Sequence, residues 1–479
     1  VSVHNIVPII GEYDDPDNQR QSVLTMPISN GGNAIVFGAA GSGKELMLTS
    51  IVYSSITTHD SNEINFYILD FGAETLGMFR NAPHVGEVLL SSESEKIGNL
   101  LKMITQIAEE RKKLFLDYNG SYDFYINHGG KQIPLIVIMI NNIEGFMELY
   151  PDYEDIIGQL TRECPKYGIS FIVSTNGPNT MRYRLRQNFA QNIVLQFNDP
   201  SDYASVIPGV RKKEPSKNFG RGLIGLDGIY EFQTALPFRE ERLSDYIKVI
   251  CLKLNEICSY KAKKIPILPS VVTSEDVISS LRGLTRIPVG ITKETLEIAT
   301  MSLKKGIFNI TGEDMSIAGP FVTGVIKMIT KIPGTKCMVL DASEILGGDC
   351  STGIDKIMNL PDSSTPTVCV ITGIGNLLSK MDISKKGDFT DLLDKKLKSE
   401  TLKIVLVDVI DNIKSIGYDA WYKGNTDLAE GVWIGNGISN QFTFKISTNS
   451  RILRQELEPN FGYIIEKGKA YVMKLLSNE

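Results

Sequence analysis

The sequence predicts an α/β protein built twice over, each copy a mostly parallel central sheet with helices on both faces. Two observations predict the class. Short apolar runs such as Asn33–Phe37, Phe66–Asp70 and Leu135–Ile140 alternate with stretches of helical period. Strands covered on both faces read as continuous apolar runs, whereas half-exposed strands alternate. A third observation predicts the duplication: the order of strands, glycine turns and helices recurs in the second half of the chain.

The elements match in order. Asn33-Ala-Ile-Val-Phe-Gly38 corresponds to Ile307-Phe-Asn-Ile-Thr-Gly312, each a buried strand closed by glycine. A helix follows, then a strand ending in Leu-Asp, at Asp70 and again at Asp341. A third strand follows Pro134 and Pro366, and a fourth runs over Ile169–Ser174 and Leu402–Asp408. Each half closes with a strand, a glycine-centred turn and an alternating strand, over 222–236 and 462–476, a β-hairpin pattern. Gly222 pairs with Gly462 and Gly228 with Gly468. The clearest helix covers 94–116, where Ile97, Leu100, Leu101, Ile104, Ile107, Leu114 and Phe115 share a helical spacing. The expected domains are 1–260 and 288–479, joined by a linker over 261–287 in which Lys261, Lys263, Lys264, Pro266 and Pro269 interrupt the pattern.

Composition narrows the function. With 42% hydrophobic and 22% charged residues the chain is an ordinary globular one. Its formal net charge of −6 argues against a protein that grips nucleic acid along the backbone. Cys164, Cys251, Cys258, Cys337, Cys350 and Cys369 contain no C-x-x-C pair, so neither a zinc site nor a redox motif is indicated, and buried thiols in a reducing compartment are expected. His4, His59, His84 and His128 all precede residue 130, which leaves the second half without a histidine mechanism of its own. No apolar run approaches the ~20 residues that span a bilayer, and no signal-peptide pattern is present. The chain opens on Val1 in a strand-like segment, as expected of a portion of something longer.

The chemistry concentrates at Gly38-Ala39-Ala40-Gly41-Ser42-Gly43-Lys44-Glu45. This is a near-complete Walker A loop, G-x-x-x-x-G-K, between a strand and a helix. Its glycines let successive N–H groups turn toward phosphates, and the lysine adds a point charge. A helix N-terminus favours an anion at the same place. The hydroxyl residue that normally binds Mg²⁺ is replaced by Glu45. Where a strand-end acid is usual, the third strand ends in Asn141-Asn142-Ile143-Glu144. One carboxylate thus arrives at the loop while another leaves the strand end. Glu45 either repels Mg²⁺ and triphosphate or ligates the metal itself; weakened hydrolysis is expected, since misplaced charge commonly costs on the order of 10²-fold in rate. Glu144 is a displaced catalytic base or, preferably, a surface glutamate, lying further along if the strand continues. Asn176, after the fourth strand, is a γ-phosphate-sensing or a turn-forming residue.

The second copy of the loop reads Gly312-Glu313-Asp314-Met315-Ser316-Ile317-Ala318-Gly319, with no lysine and two carboxylates where phosphates would approach. Gly312, Ser316 and Gly319 mark a degenerate site in which neither catalysis nor nucleotide is expected.

Several motifs together resemble the C-terminal pair of FtsK/SpoIIIE-type ATPase domains of EssC, the membrane ATPase of the type VII (ESX-like) secretion system. They are Tyr67-Ile-Leu-Asp-Phe-Gly72, Pro83-His-Val-Gly86, Glu110-Arg-Lys-Lys-Leu-Phe115, Gly220-Arg-Gly222, Tyr230-Glu-Phe-Gln-Thr234, Ile265-Pro-Ile-Leu-Pro269 and Gly431-Val-Trp-Ile-Gly-Asn-Gly437. The resemblance implies a RecA-like P-loop NTPase fold in each half. It implies a multimer at the cytoplasmic face of the bacterial membrane, built with other domains and subunits of the machinery, that moves secreted WXG100 and LXG proteins. It also implies ATP, with Mg²⁺, at the first site, and no direct membrane contact from this portion. The departures are Glu45, Asn141 and the whole 312–319 loop. The reading is a first domain that binds ATP with weak or no hydrolysis and a second, degenerate domain for substrate recognition or assembly. The alternatives are an FtsK-like DNA translocase and a nucleotide-free scaffold.

Overall fold

The computed structural model describes residues 5–210, 213–341 and 366–479; His4 and Cys350 lie outside the described residues. The chain divides into two compact units, Val1–Ile267 and Leu268–Glu479.

The first unit holds β1 (Ile9–Asp15), β2 (Arg20–Thr25), β3 (Asn33–Phe37), β4 (Ile64–Asp70), β5 (Val85–Leu90), β6 (Leu135–Asn141), β7 (Ile169–Thr175), β8 (Phe189–Leu195), β9 (Arg221–Gly225) and β10 (Ile229–Thr234). They form one sheet in the order β2-β1-β10-β9-β8-β3-β7-β6-β4-β5. The run from β8 to β5 is parallel, and β9, β10, β1 and β2 extend it antiparallel. Every residue of β3, β4, β6 and β7 is buried. Successive strand side chains point to opposite faces, so both faces are covered, which is why these segments read as unbroken apolar runs.

The second unit holds β11 (Ile287–Thr292), β12 (Ile298–Met301), β13 (Ile307–Gly312), β14 (Lys336–Asp341), β15 (Thr367–Thr372), β16 (Leu402–Val409), β17 (Gly431–Ile434), β18 (Phe461–Glu466) and β19 (Lys469–Leu475). Their order is β12-β11-β19-β18-β17-β13-β16-β15-β14. Strand for strand this is the first sheet again, except that the described residues hold no counterpart of β5. The duplication extends to individual glycines. A β-carbon on Gly222 would strike the carbonyl of Val194, and one on Gly462 the carbonyl of Trp433, at the same crossing of hairpin and parallel core.

Helix α1 (Lys44–Thr58) follows β3, and α2 (Ser94–Leu114) occupies the stretch whose spacing predicts it. Sequence reading misses what one residue of α2 does. Arg111, 6% exposed, donates to the carbonyls of Tyr167 at 2.8 Å, Gly168 at 3.0 Å and Pro134 at 2.6 Å. Burial lowers its pKa to about 10. It therefore ties the helix to the segments that enter β6 and β7. Gly86 is explained similarly: a side chain there would collide with the ring of Tyr67, whose hydroxyl donates to Lys263 O at 2.6 Å. Neighbouring bonds run from Ala262 N–H to Pro83 O and from Lys264 Nζ to Gly86 O, so residues 260–266 lie along the first unit.

Five free cysteines are described; burial pushes the thiols of Cys164, Cys251 and Cys369 up to about 12, which makes them inert packing residues. Among the described residues no helix is long and apolar enough to cross a membrane.

Arg111→Met leaves three carbonyls without their charged donor. Urea unfolding of this variant is expected to show the first unit destabilised by about 3 kcal/mol, the scale of stranded buried acceptors.

Candidate phosphate-binding site

The loop after β3 is fixed at its root by the strands on either side. Gly38 N–H donates to Thr175 O at 3.1 Å and Ala39 N–H to Gln196 O at 2.7 Å. Gly41 (φ 75°) and Gly43 (φ 102°) take left-handed backbone, which glycine adopts without the clash a β-carbon brings. Ser42 is 3% exposed, and its Oγ has no hydrogen-bond partner. An orphaned hydroxyl inside a turn of inward glycines fits an anion cradle, because a buried polar group left unpaired is costly.

Lys44 opens α1 and is 6% exposed. Its Nζ donates to Gly38 O at 2.6 Å, Ala39 O at 3.0 Å and Asn176 Oδ1 at 3.0 Å. Burial pulls its pKa below the ordinary lysine value, with Glu45 and Glu144 opposing. Asn176 N–H in turn donates to Glu144 Oε1 at 3.0 Å, and Thr175 Oγ1 donates to Glu144 Oε2 at 2.6 Å. The structure thus brings Lys44, Asn176 and Glu144 into one hydrogen-bonded chain. Glu45 is half-buried in the first turn of α1. Among the described residues no group of three or more His, Cys, Asp or Glu is arranged to hold a metal ion.

The straight continuation of β6 toward Glu144 is not what forms. The strand ends at Asn141, the backbone turns at Asn142 (φ 64°), and α3 (Ile143–Leu149) begins. Glu144 sits in the first turn of α3, half-buried and folded back onto the end of β7. The reversal replaces the expected surface position with a half-buried one against the end of β7. Asn141 is fully buried; its Nδ2 donates to Asp70 Oδ1 and its Oδ1 accepts from Ser174 Oγ, both at 2.8 Å. Asn142 caps α3 by accepting from Gly145 N–H, and its Nδ2 donates to Phe71 O at 3.0 Å. Asp70 also accepts from Leu76 N–H at 2.9 Å. These two asparagines shape the strand end and the helix start.

A further layer was not legible from spacing. Gly220 N–H donates to Ser42 O at 3.0 Å, and a β-carbon on Gly43 would meet Gly220 N at 2.9 Å. The Gly220-Arg-Gly222 motif therefore lies directly on the phosphate loop, delivered there by β9. The pairing of Gly222 with Gly462 marked the start of a hairpin; the sequence carries no signal that its neighbour Gly220 touches Ser42.

The second unit's loop is built differently. No residue from Gly312 to Gly319 has positive φ, and Met315 and Ile317 stand where Gly41 and Gly43 do, so the left-handed pair of the first loop is missing. Asp314 turns inward on its own loop, accepting from Ser316 N–H at 2.8 Å and Ser316 Oγ at 3.0 Å, bonds that hold its carboxyl below the ordinary value. Glu313 accepts from Asn440 Nδ2 at 3.1 Å and packs against Gly437. Where α1 begins with lysine, the matching helix α4 (Gly319–Thr330) begins with glycine and proline.

A strand, a left-handed glycine loop and a helix-initiating lysine, set in a parallel core with an antiparallel extension, give the first unit a P-loop ATPase-type fold, and residues 15–231 match the FtsK/SpoIIIE family. Over its whole length the fold resembles, more particularly, ATPases 2 and 3 of EssC and EccC. The structure of EssC ATPases 2 and 3 from Geobacillus thermodenitrificans aligns with TM-score 0.81 at 21% identity, covering 100% of this chain and 97% of that one. Thermomonospora curvata EccC ATPases 2 and 3, in complex with a signal sequence peptide, align with TM-score 0.59 at 19% identity, covering 100% and 94%. In sequence, the ESX secretion system protein EccC of Geobacillus thermodenitrificans is 28% identical over 306 residues, 62% of this chain and 20% of that protein. The type VII secretion system protein EssC of Staphylococcus aureus MRSA252 is 24% identical over 310 residues, 61% and 21%. The match therefore spans about a fifth of the length of these relatives.

Asn142→Ala removes the α3 cap and puts alanine, which tolerates left-handed backbone less well than asparagine, at φ 64°. It is expected to cost about 1 kcal/mol or more in thermal unfolding, and Asn142→Gly only a few tenths.

Proposed function

We propose that the chain is the C-terminal ATPase-domain pair of a type VII protein-secretion motor, in which the first unit binds ATP with weak or no hydrolysis and the second serves substrate recognition or assembly. One observation carries it. Within a fold that follows EssC ATPases 2 and 3 from end to end, the first loop keeps its left-handed glycines and lysine while the second has lost both. The family implies nucleotide and Mg²⁺ in general. In this reading the N–H groups of Ala40, Gly41, Gly43 and Lys44, the orphaned Ser42 Oγ and Lys44 Nζ hold the phosphates, with Asn176 receiving Lys44. Bound ATP supplies a transferable phosphoryl group and Mg²⁺ offsets its charge.

Weak hydrolysis follows from the residues around the cradle. Both oxygens of Glu144 already accept hydrogen bonds, from Thr175 Oγ1 and Asn176 N–H, so its carboxylate is engaged in holding the end of β7 rather than an attacking water. Glu45 places a carboxylate where a compact hydroxyl would hold the metal. The partners are secreted WXG100 and LXG proteins, together with other domains and subunits in a multimer at the cytoplasmic face of the membrane. A relative's structure in complex with a signal sequence peptide supports the first class of partner.

Calorimetry on the full chain tests the assignment: Lys44→Ala is expected to abolish measurable ATP binding, and unchanged affinity would overturn it. Glu45→Thr is expected to raise Mg²⁺–ATP affinity by about tenfold, the scale of one relieved like-charge contact near a surface. A fall instead would make Glu45 a ligand of the metal.

A further inference from the structure

The phosphate cradle accounts for one end of a nucleotide and leaves a conspicuous neighbour unused. Phe219 is 51% exposed, yet it stands beside the loop: its ring Cε2 lies 3.6 Å from where a β-carbon of Gly43 would sit. The backbone that carries it is held on several sides. Gly220 N–H donates to Ser42 O at 3.0 Å, Gln233 Nε2 to Phe219 O at 3.0 Å, and Gln196 Nε2 to Asn218 O at 2.6 Å and Ser216 O at 2.7 Å. Ser216 N–H is itself taken by Glu231 Oε1 at 2.8 Å.

A large ring half in solvent adds little to the core, so these bonds are more than its packing requires. What they do fix is a flat apolar surface at a set distance from the phosphate loop. A phenyl ring offers no donor to a phosphate, and the loop amides and Lys44 already supply those. It does offer a face to another flat ring, and aromatic stacking on a base is favourable and tolerant of base identity because every base has a π-face.

We propose that Phe219 is the platform on which the nucleobase stacks, so that this site recognises a nucleoside triphosphate by its base as well as by its phosphates. The inference rests on the phosphate-loop reading above. Because the contact is a stacking one, the site binds adenine and guanine nucleotides with similar affinity. The Gly220 turn sets the ring's position through its bond to Ser42.

The experiment compares three probes by calorimetry on the full chain with Mg²⁺: ATP, GTP and inorganic tripolyphosphate, which has phosphates and no base. Phe219→Ala is expected to weaken ATP and GTP about tenfold and to leave tripolyphosphate unchanged; Phe219→Trp is expected to retain nucleotide affinity and to show indole quenching on ATP addition. Unchanged ATP affinity in Phe219→Ala overturns the inference. An equal loss for tripolyphosphate also overturns it, since the ring would then only support the loop. Failure of tripolyphosphate and ATP alike to bind the unaltered chain overturns the phosphate-loop reading, and the platform with it.

Discussion

Two backbone hydrogen bonds set the geometry of the first unit's site: Gly38 N–H to Thr175 O and Ala39 N–H to Gln196 O. They exist because β3 runs parallel to β7 on one side and β8 on the other, with Phe37 level with Thr175 and Val194. A central strand leaving a parallel sheet must satisfy its next amides on its neighbours, and here both neighbours oblige. The loop therefore departs from a fixed point at the carboxyl ends of the strands, where open α/β sheets place their ligands. The end of β7 then delivers Asn176 to Lys44, and β8 leads into the antiparallel extension that brings Gly220 onto Ser42.

The two units separate what this frame requires from what the chemistry requires. Both sheets keep the same order, and both helices after the third strand of each parallel core begin beyond a left-handed residue, Asn142 in one and Gly373 in the other, which starts α5 (Ile374–Lys380). Only the first retains left-handed glycines in the loop itself. In the second, Glu313 and Asp314 lie at the surface and find hydrogen-bond partners within their own unit, in Asn440 and Ser316.

Much of the fold was legible because buried parallel strands leave an unmistakable record. The runs ending at Phe37, Asp70 and Asn141 are apolar on both faces, and the glycines at 222 and 462 mark the same crossing. The geometry of the glycine loop was legible for a similar reason: glycine spacing and lysine position are dictated by a local turn. What spacing does not record is contact across long sequence separations. Arg111 reaches Gly168, Asn33 bonds to Phe171 N–H, and Gly220 reaches Ser42. The position of Glu144 turned on whether β6 continued, and the left-handed turn at Asn142, two residues before it, leaves no mark in the apolar pattern.

The shared strand order has a consequence for how such a duplicated molecule changes over time. Each sheet draws its cohesion from strand pairing and apolar faces, and the glycine loop contributes almost nothing to either. Selection for folding therefore constrains the loop chiefly at its glycines, where a β-carbon would strike Ser42 or Gly220, and leaves its polar side chains free to change. A copy relieved of phosphate handling can acquire acids, lose its lysine and persist as architecture, free to be recruited for contacts the original never made.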